Sequence, residues 1–409
     1  MLLCSRLGLA ALLPLVSFAQ FSCISMGNVS TADSDGKYTI QSEGIRAQFV
    51  PYGASMSNLF INDTKGIERD IVLGFDNASH YSVDTLHPHL NGIPGRYANR
   101  IKNSTFTIDG NTYNVLPNEN NGADTLHGGP DGWDWRNWTV VTHTASSITF
   151  MLVDPAGSQG FPGEVIAYAT YTVTPYQWHI RMTASSTQTR TPIMMTSHTY
   201  WNLDAFQNPN TPTVLNNTLH LPYSGQRIGV DAILIPNGTI IPNMQYSVND
   251  FWSAPKQIGA NLTSPDAVGN CGTNCTGYDT AYLVNRGQDG PYDWREKGPI
   301  ATLASPFTGI QVDVFSDQQA YQLYSCNSMN GTLPVKKTQG LFNDTSHPRT
   351  VQHYGCVVME VEDWIDAINQ PEWQRDRKQI FGPQDDQYVL EAIYKFSANQ
   401  SLVSNSTSY

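Results

Sequence analysis

The chain of 409 residues carries a formal net charge of −12, with 14% charged and 40% hydrophobic residues. No basic stripe is available to neutralise phosphates, which makes nucleic acid and anionic membranes poor partners. An acidic, weakly charged chain in which 11% of residues are aromatic suits a neutral polar ligand.

At the start of the chain, Arg6 precedes an apolar run from Leu7 to Val16, and Ser17 and Ala19 flank Phe18. This pattern predicts a secretory signal peptide over residues 1–19, cleaved after Ala19. The run is too short to span a bilayer, and no later stretch approaches about 18 consecutive apolar residues, so no membrane-embedded segment is expected. Thirteen N-x-S/T sequons follow, at Asn28, Asn62, Asn77, Asn103, Asn137, Asn216, Asn237, Asn261, Asn274, Asn330, Asn343, Asn399 and Asn405. Their excess over chance predicts a secreted, glycosylated product.

Along the rest of the chain, turn signals such as DSDG, YGAS, IDGN, PNENNG, DPAG and IPNG separate short β-branched or aromatic runs. TFTIDGNTYNV, SSITFML, EVIAYATYTVT and GIQVDVF alternate apolar and polar positions, which predicts antiparallel strands. Helical patterns are brief, around Ser253 to Ile258 and Trp364 to Asn369, and no period of 20 to 50 residues repeats. The expected fold is all-β: one large antiparallel β-sandwich over residues 20–409, with long loops at Asp204 to Thr276 and Ser328 to Gln352. Cys271 and Cys275, four apart in NCGTNCTG, suit a local disulfide, with zinc as the rival reading. Cys23, Cys326 and Cys356 cannot all pair among themselves, so at least one free or buried thiol is expected.

Four segments place polar residues where a strand or turn more cheaply holds apolar ones: NGIPGRYANRI, DTLHGGPDGWDWRNW, SHTYWNL and VVMEVEDWIDA. If MTSHTYWNL is a strand, His198, Tyr200 and Asn202 share one face, while Ser197, Thr199, Trp201 and Leu203 share the other. His87 and His89 in LHPHLNG have a spacing that fits one strand face, but Pro88 stands between them and no third ligand is near, so no metal site is expected.

Taken in order, GRYANRI, TLHGG, SHTYWNL, GYDTAYLV and VVMEVEDWIDA resemble the aldose 1-epimerases, or galactose mutarotases, and the likeness runs from about Thr39 to Ser397. The resemblance implies the large β-sandwich of the galactose mutarotase type and an isomerase acting on a small free sugar. It implies Glu360 as general base and His198 as general acid, with substrate contacts from Asn99, Arg100, His127 and Asp279. No metal, cofactor or redox step is implied.

Elementary chemistry agrees with those roles. Interconverting the anomers of a free aldohexose of the glucose or galactose type removes a proton from the C1 hydroxyl and gives one to the ring oxygen. Each positioned group contributes about 10²- to 10⁴-fold. Histidine, with an unperturbed pKa of about 6.5, suits the acid, while Glu360 is expected to stay ionised beside a cation or hydrogen-bond donor. Arg100 and His127 are candidates to orient ring oxygens, and Asp279 to accept from hydroxyls.

The sequence also departs from the family pattern. Ser197 stands where Asn is usual, Trp201 replaces Phe, Glu362 stands where Gln is usual and Ile365 where Pro precedes Asp366. Glu360 and Glu362 lie about 7 Å apart on one strand face, close enough to raise one pKa. Three rival functions share these residues. They are a catalytically silent carbohydrate-binding protein, a related epimerase acting on another lactol or hemiacetal, and a glycoside hydrolase pairing Glu360 with Glu362 or Asp279.

Overall fold

The computed structural model describes residues 31–87, 89–286 and 293–403. The predicted signal peptide, Cys23, Asn28 and Asn405 lie outside the described residues.

Alternating sequences become alternating faces. Val165–Thr174 buries every second residue, and its outward threonines form cross-strand pairs, Thr149 with Thr170 and Ser147 with Thr172, each at 3.0 Å. These strands belong to a nine-stranded antiparallel sheet that runs from Lys256–Gln257 at one edge, through Ile310–Ser316 and Tyr388–Ala398 at its centre, to Thr139–His143 at the other. TFTIDGNTYNV forms a separate hairpin, Thr105–Ile108 with Asn111–Asn114. Asp109 and Gly110 both take positive φ at its tip, the geometry that favours an Asp-Gly turn.

A second, six-stranded antiparallel sheet contains Tyr200–Trp201, Val357–Glu362, Ala320–Tyr324, Asp279–Leu283, Gln226–Val230 and Pro236–Pro242, in that spatial order. The main core lies between the two sheets: Met182, Val312 and Tyr394 from the first meet Tyr282, Tyr321, Leu323, Met359 and Val361 from the second. Because side chains alternate, burying those residues turns Asp279, Gln322, Glu360 and Glu362 to the opposite face of the six-stranded sheet. The functional carboxylates thus sit on the strands of a rigid sheet.

Two expectations are corrected. The segment from Asp204 to Thr276 is not one loop: it contains the strands Thr218–His220, Gln226–Val230, Pro236–Pro242 and Lys256–Gln257. The last of these replaces the helix expected from Ser253 to Ile258, because its backbone pairs with Thr218 and Leu219. From Ser328 to Gln352 no named strand intervenes, as expected. Around Trp364 to Asn369 there is only the 3₁₀ turn Ala367–Asn369. Cys271 is bonded to Cys275, and Cys326 to Cys356.

The early motif is pinned by its first arginine. Arg96 is fully buried, and its Nε and Nη2 donate to Asp154 Oδ2 at 2.9 and 2.7 Å, while Nη1 donates to the carbonyls of Pro162 and Gly163. Such a charge pair is costly to break from one side, which fixes the chain as it enters the site. Gly128 is required where TLHGG meets this segment: its φ is +86°, and a Cβ there would lie 2.0 Å from the Gly95 carbonyl oxygen.

Candidate active site

His198 does not lie inside a strand, because only Tyr200–Trp201 is strand and residues 195–199 before it belong to no regular element. Its backbone is nevertheless clamped: the His198 N–H donates to the Gly92 carbonyl at 3.0 Å, and its carbonyl accepts from the Asn91 N–H at 3.2 Å. The expected alternation holds in part. His198 and Tyr200 line a cavity of about 300 Å³, while Trp201 and Leu203 join the core. Asn202 instead caps the next turn, accepting from the backbone N–H groups of Asp204 and Phe206. Ser197, at the position where Asn is usual, pairs its hydroxyl with that of Thr199 at 3.0 Å.

All six residues predicted for the site line this one cavity: Asn99, Arg100, His127, His198, Asp279 and Glu360. Its volume stands at the small end of ligand sites, which run from about 300 to 1,000 Å³. His198 Nε2 lies 3.5 Å from Glu360 Oε1. His127 is tilted against His198, with ring centroids 5.2 Å apart. Its Nδ1 accepts the Asn99 N–H at 3.1 Å, so the proton of the neutral ring sits on Nε2 and is available to a ligand oxygen. Burial depresses the His127 pKa well below the ordinary histidine value, which keeps that neutral form.

Arg100 is held by Glu119, which takes its Nε and Nη2 at 2.7 and 2.9 Å. Asp279 lies 3.9 Å from the same guanidinium and accepts from Gln322 Nε2 at 2.5 Å. Asn99 is engaged on both ends of its amide: Oδ1 accepts the Arg100 N–H at 2.9 Å, and Nδ2 donates to Glu362 Oε1 at 3.0 Å. It orders the wall from which Arg100 projects.

Burial opposes the charges expected for the catalytic pair. Desolvation, reinforced by His89, pushes His198 down to about 3. Desolvation, then the Glu362 carboxylate, raises Glu360 well above the usual carboxylate range, and Arg100 opposes this only in part. Both shifts favour the uncharged forms, a carboxylic acid beside a neutral imidazole, because desolvation outweighs the attraction of Arg100.

Four further residues complete the site. Gln322 faces Glu360 across the strand pair and is legible as the one polar residue on the Ala320–Gln322–Tyr324 face. Glu119 carries no local signal in PNENNG. Asp134 accepts the Nδ1–H of His89 at 2.5 Å and holds that ring 4.5 Å from His127. His87 is turned instead to Asp84 and Thr332, so the two histidines of LHPHLNG do not converge. Among the described residues, His127, His198 and Glu360 form the one set able to hold a metal ion, with ligand atoms within 4.8 Å of one another. Zn–N bonds of about 2.0–2.1 Å would require that set to contract.

Glu362, where the family has Gln, gives a directional test. Burial raises its carboxyl from 4.5 to about 8. The unfolded chain ionises first, so stability is fully present below about pH 4.5 and is lost as pH rises toward 8. Glu362→Gln keeps an acceptor for Asn99 and removes that loss. Its thermal midpoint should exceed the parent's at pH 8 by a few degrees and converge with it by pH 4.5. A difference that stays constant across that range would show that folding leaves the Glu362 pKa unshifted.

A family model described as Aldose 1-epimerase matches residues 36–382. A probable aldose 1-epimerase from Arthroderma benhamiae is 41% identical over 404 residues, covering 92% of this chain and 90% of that protein. A protein named Epimerase FSL3 from Gibberella zeae is 37% identical, covering 90% of this chain and 86% of that protein. The crystal structure of a GalM/aldose epimerase homologue from C. elegans superposes with a TM-score of 0.73 at 26% identity, covering 89% of this chain and 99% of that one.

Proposed function

The chain belongs to the aldose 1-epimerase family and interconverts the α and β anomers of an aldose, and we propose that it does so on a free hexose by moving one proton between Glu360 and His198. The observation that carries this reading is the 3.5 Å approach of His198 Nε2 to Glu360 Oε1 at the wall of a cavity the size of a small ligand.

A bound sugar places its C1 hydroxyl and ring oxygen against this pair. One member takes the C1 hydroxyl proton, the electron pair becomes the aldehyde C=O, the C1–O5 bond breaks, and the other member protonates O5. Rotation about C1–C2 presents the second face, and the same transfers in reverse close the ring. Imidazolium with carboxylate, and imidazole with carboxylic acid, hold the same number of protons. The family assignment, with Glu360 as base and His198 as acid, therefore differs from the uncharged pair by a single proton shift. Sugar hydroxyls donating to Glu360 favour the carboxylate. His127 Nε2–H and Arg100 donate to sugar oxygens, and Asp279 accepts from hydroxyls. Among the described residues Arg100 Nη1 has no hydrogen bond, and it is the guanidinium nitrogen free to reach a ligand.

The protein works outside the cell as a glycoprotein. The leader pattern and the sequon excess support this, and so do two disulfides, which persist in oxidising compartments. Among the described residues no helix is long and apolar enough to cross a membrane.

The direct test is polarimetry of freshly dissolved α-glucose, α-galactose and a non-sugar lactol, each beside its methyl glycoside. Rapid approach to the equilibrium rotation of at least one hexose is expected, with no reducing sugar released from glycosides. Acceleration on the lactol alone would move the substrate out of the hexoses. Sugar binding without acceleration would make the chain a carbohydrate-binding protein, and glycoside cleavage would make it a hydrolase.

A further inference from the structure

Eleven of the sequon asparagines fall within the described residues, and none of them is buried. Asn330 differs from the other ten, because it lines the active-site cavity. We propose that Asn330 carries an N-linked glycan at the mouth of the site, and that this glycan restricts the enzyme to short free sugars. The inference rests on the secretory reading given above.

The rim that bears Asn330 is fixed in place. The Cys326–Cys356 disulfide ties its start to the residue before the strand Val357–Glu362. Tyr324 Oη accepts the Ser328 N–H at 2.9 Å, the Met329 N–H donates to the Cys326 carbonyl at 3.2 Å, and the Gly331 N–H donates to Val351 at 3.0 Å. Thr332, the hydroxyl residue of the sequon, bridges to His87 Nε2 at 2.9 Å, and His87 also lines the cavity. A group attached to Asn330 would therefore be anchored at the opening.

The acceptor atom is also free. Asn330 is exposed, and its Oδ1 accepts from Thr332 Oγ1 at 2.6 Å. Among the described residues no hydrogen bond holds its Nδ2, the atom that N-glycosylation uses. In that step Nδ2 attacks the anomeric carbon of a polyprenyl-diphosphate-linked oligosaccharide: the C–N bond forms, the C–O bond to diphosphate breaks, the diphosphate leaves with that electron pair, and the amide gives up one proton. A bulky polar oligosaccharide is then set beside an opening whose free rim includes Leu86, itself 70% exposed. A hexose can pass such an obstruction, whereas a longer saccharide, whose remaining units must project from the mouth, meets it.

The full chain is to be secreted from a eukaryotic host, released from its glycans with an amidase in heavy-oxygen water, and mapped by peptide mass spectrometry. Asn330 should appear as heavy aspartate. Native enzymatic trimming of the glycans, and separately Asn330→Gln, should raise kcat/KM for a reducing trisaccharide about fivefold relative to that for the free hexose. An unlabelled Asn330 beside labelled sequons elsewhere would overturn the inference and leave the secretory reading standing. A labelled Asn330 with an unchanged ratio in both preparations would refute the size restriction. A chain retained in the cell with every sequon unlabelled would overturn the secretory reading and this inference together.

Discussion

Glu360→Gln should lower kcat for mutarotation by about 10²- to 10⁴-fold, measured polarimetrically, with a thermal midpoint at or above the parent's. The substitution keeps the volume and an amide oxygen at a position where every neighbour along Val357–Glu362 is buried, so packing is preserved. It removes a carboxyl whose burial is costly and whose Oε2 has no partner among the described residues. KM should change far less than kcat, because the amide still hydrogen-bonds to a sugar hydroxyl while no longer exchanging its proton. A variant with parental kcat would show that proton transfer runs through another group. Glu362 would then be the next candidate, since it occupies the same face two residues on.

His198→Asn should cost a comparable factor, and the double variant should fall little below the worse single one. Two groups that pass one proton between them act as a unit, so their losses do not multiply. Independent, multiplying losses would separate the roles and refute a shared proton. The asparagine fits the clamp, because the Gly92 and Asn91 contacts are made by the backbone of residue 198. The pH dependence of the parent distinguishes the two proton assignments. With His198 at about 3 in the free protein, no protonated imidazole is required near neutrality, and kcat/KM should show no falling limb as pH rises through the ordinary histidine range. A limb centred near 6.5 in the parent and absent from His198→Asn would restore the imidazolium as the acid of the free enzyme.

Much of the site was legible because it is written in local patterns. Glu360 ends an apolar approach in VVMEVE, Asp279 opens a strand in GYDTAYLV, and His127 stands in the tight turn of TLHGG, whose glycine is demanded by its contact with Gly95. Period-two alternation also separated Trp201 and Leu203 from His198 and Tyr200, although the strand proved to be only two residues long. Gln322, Glu119 and the His89–Asp134 pair were missed. Gln322 shows only as the polar member of its strand face, and what each of them does depends on a partner at long range, Asp279 for Gln322 and Asp134 for His89, which no spacing along the chain records. Asn99 was read as a substrate contact, and its amide is engaged by Glu362 and by the Arg100 N–H.

The sequence by itself determined the all-β class, the family and the residue types that can exchange a proton with a sugar, because alternation, turn chemistry and short motifs are properties of neighbouring residues. Only the tertiary structure decided that six side chains from five separate segments line one small cavity, that Asn330 stands at its rim, and in which direction burial shifts the catalytic pair. Desolvation is a collective effect of every group packed around a carboxyl or an imidazole. Here it pushes Glu360 up and His198 down, and it exists only once the sheet has brought those groups together.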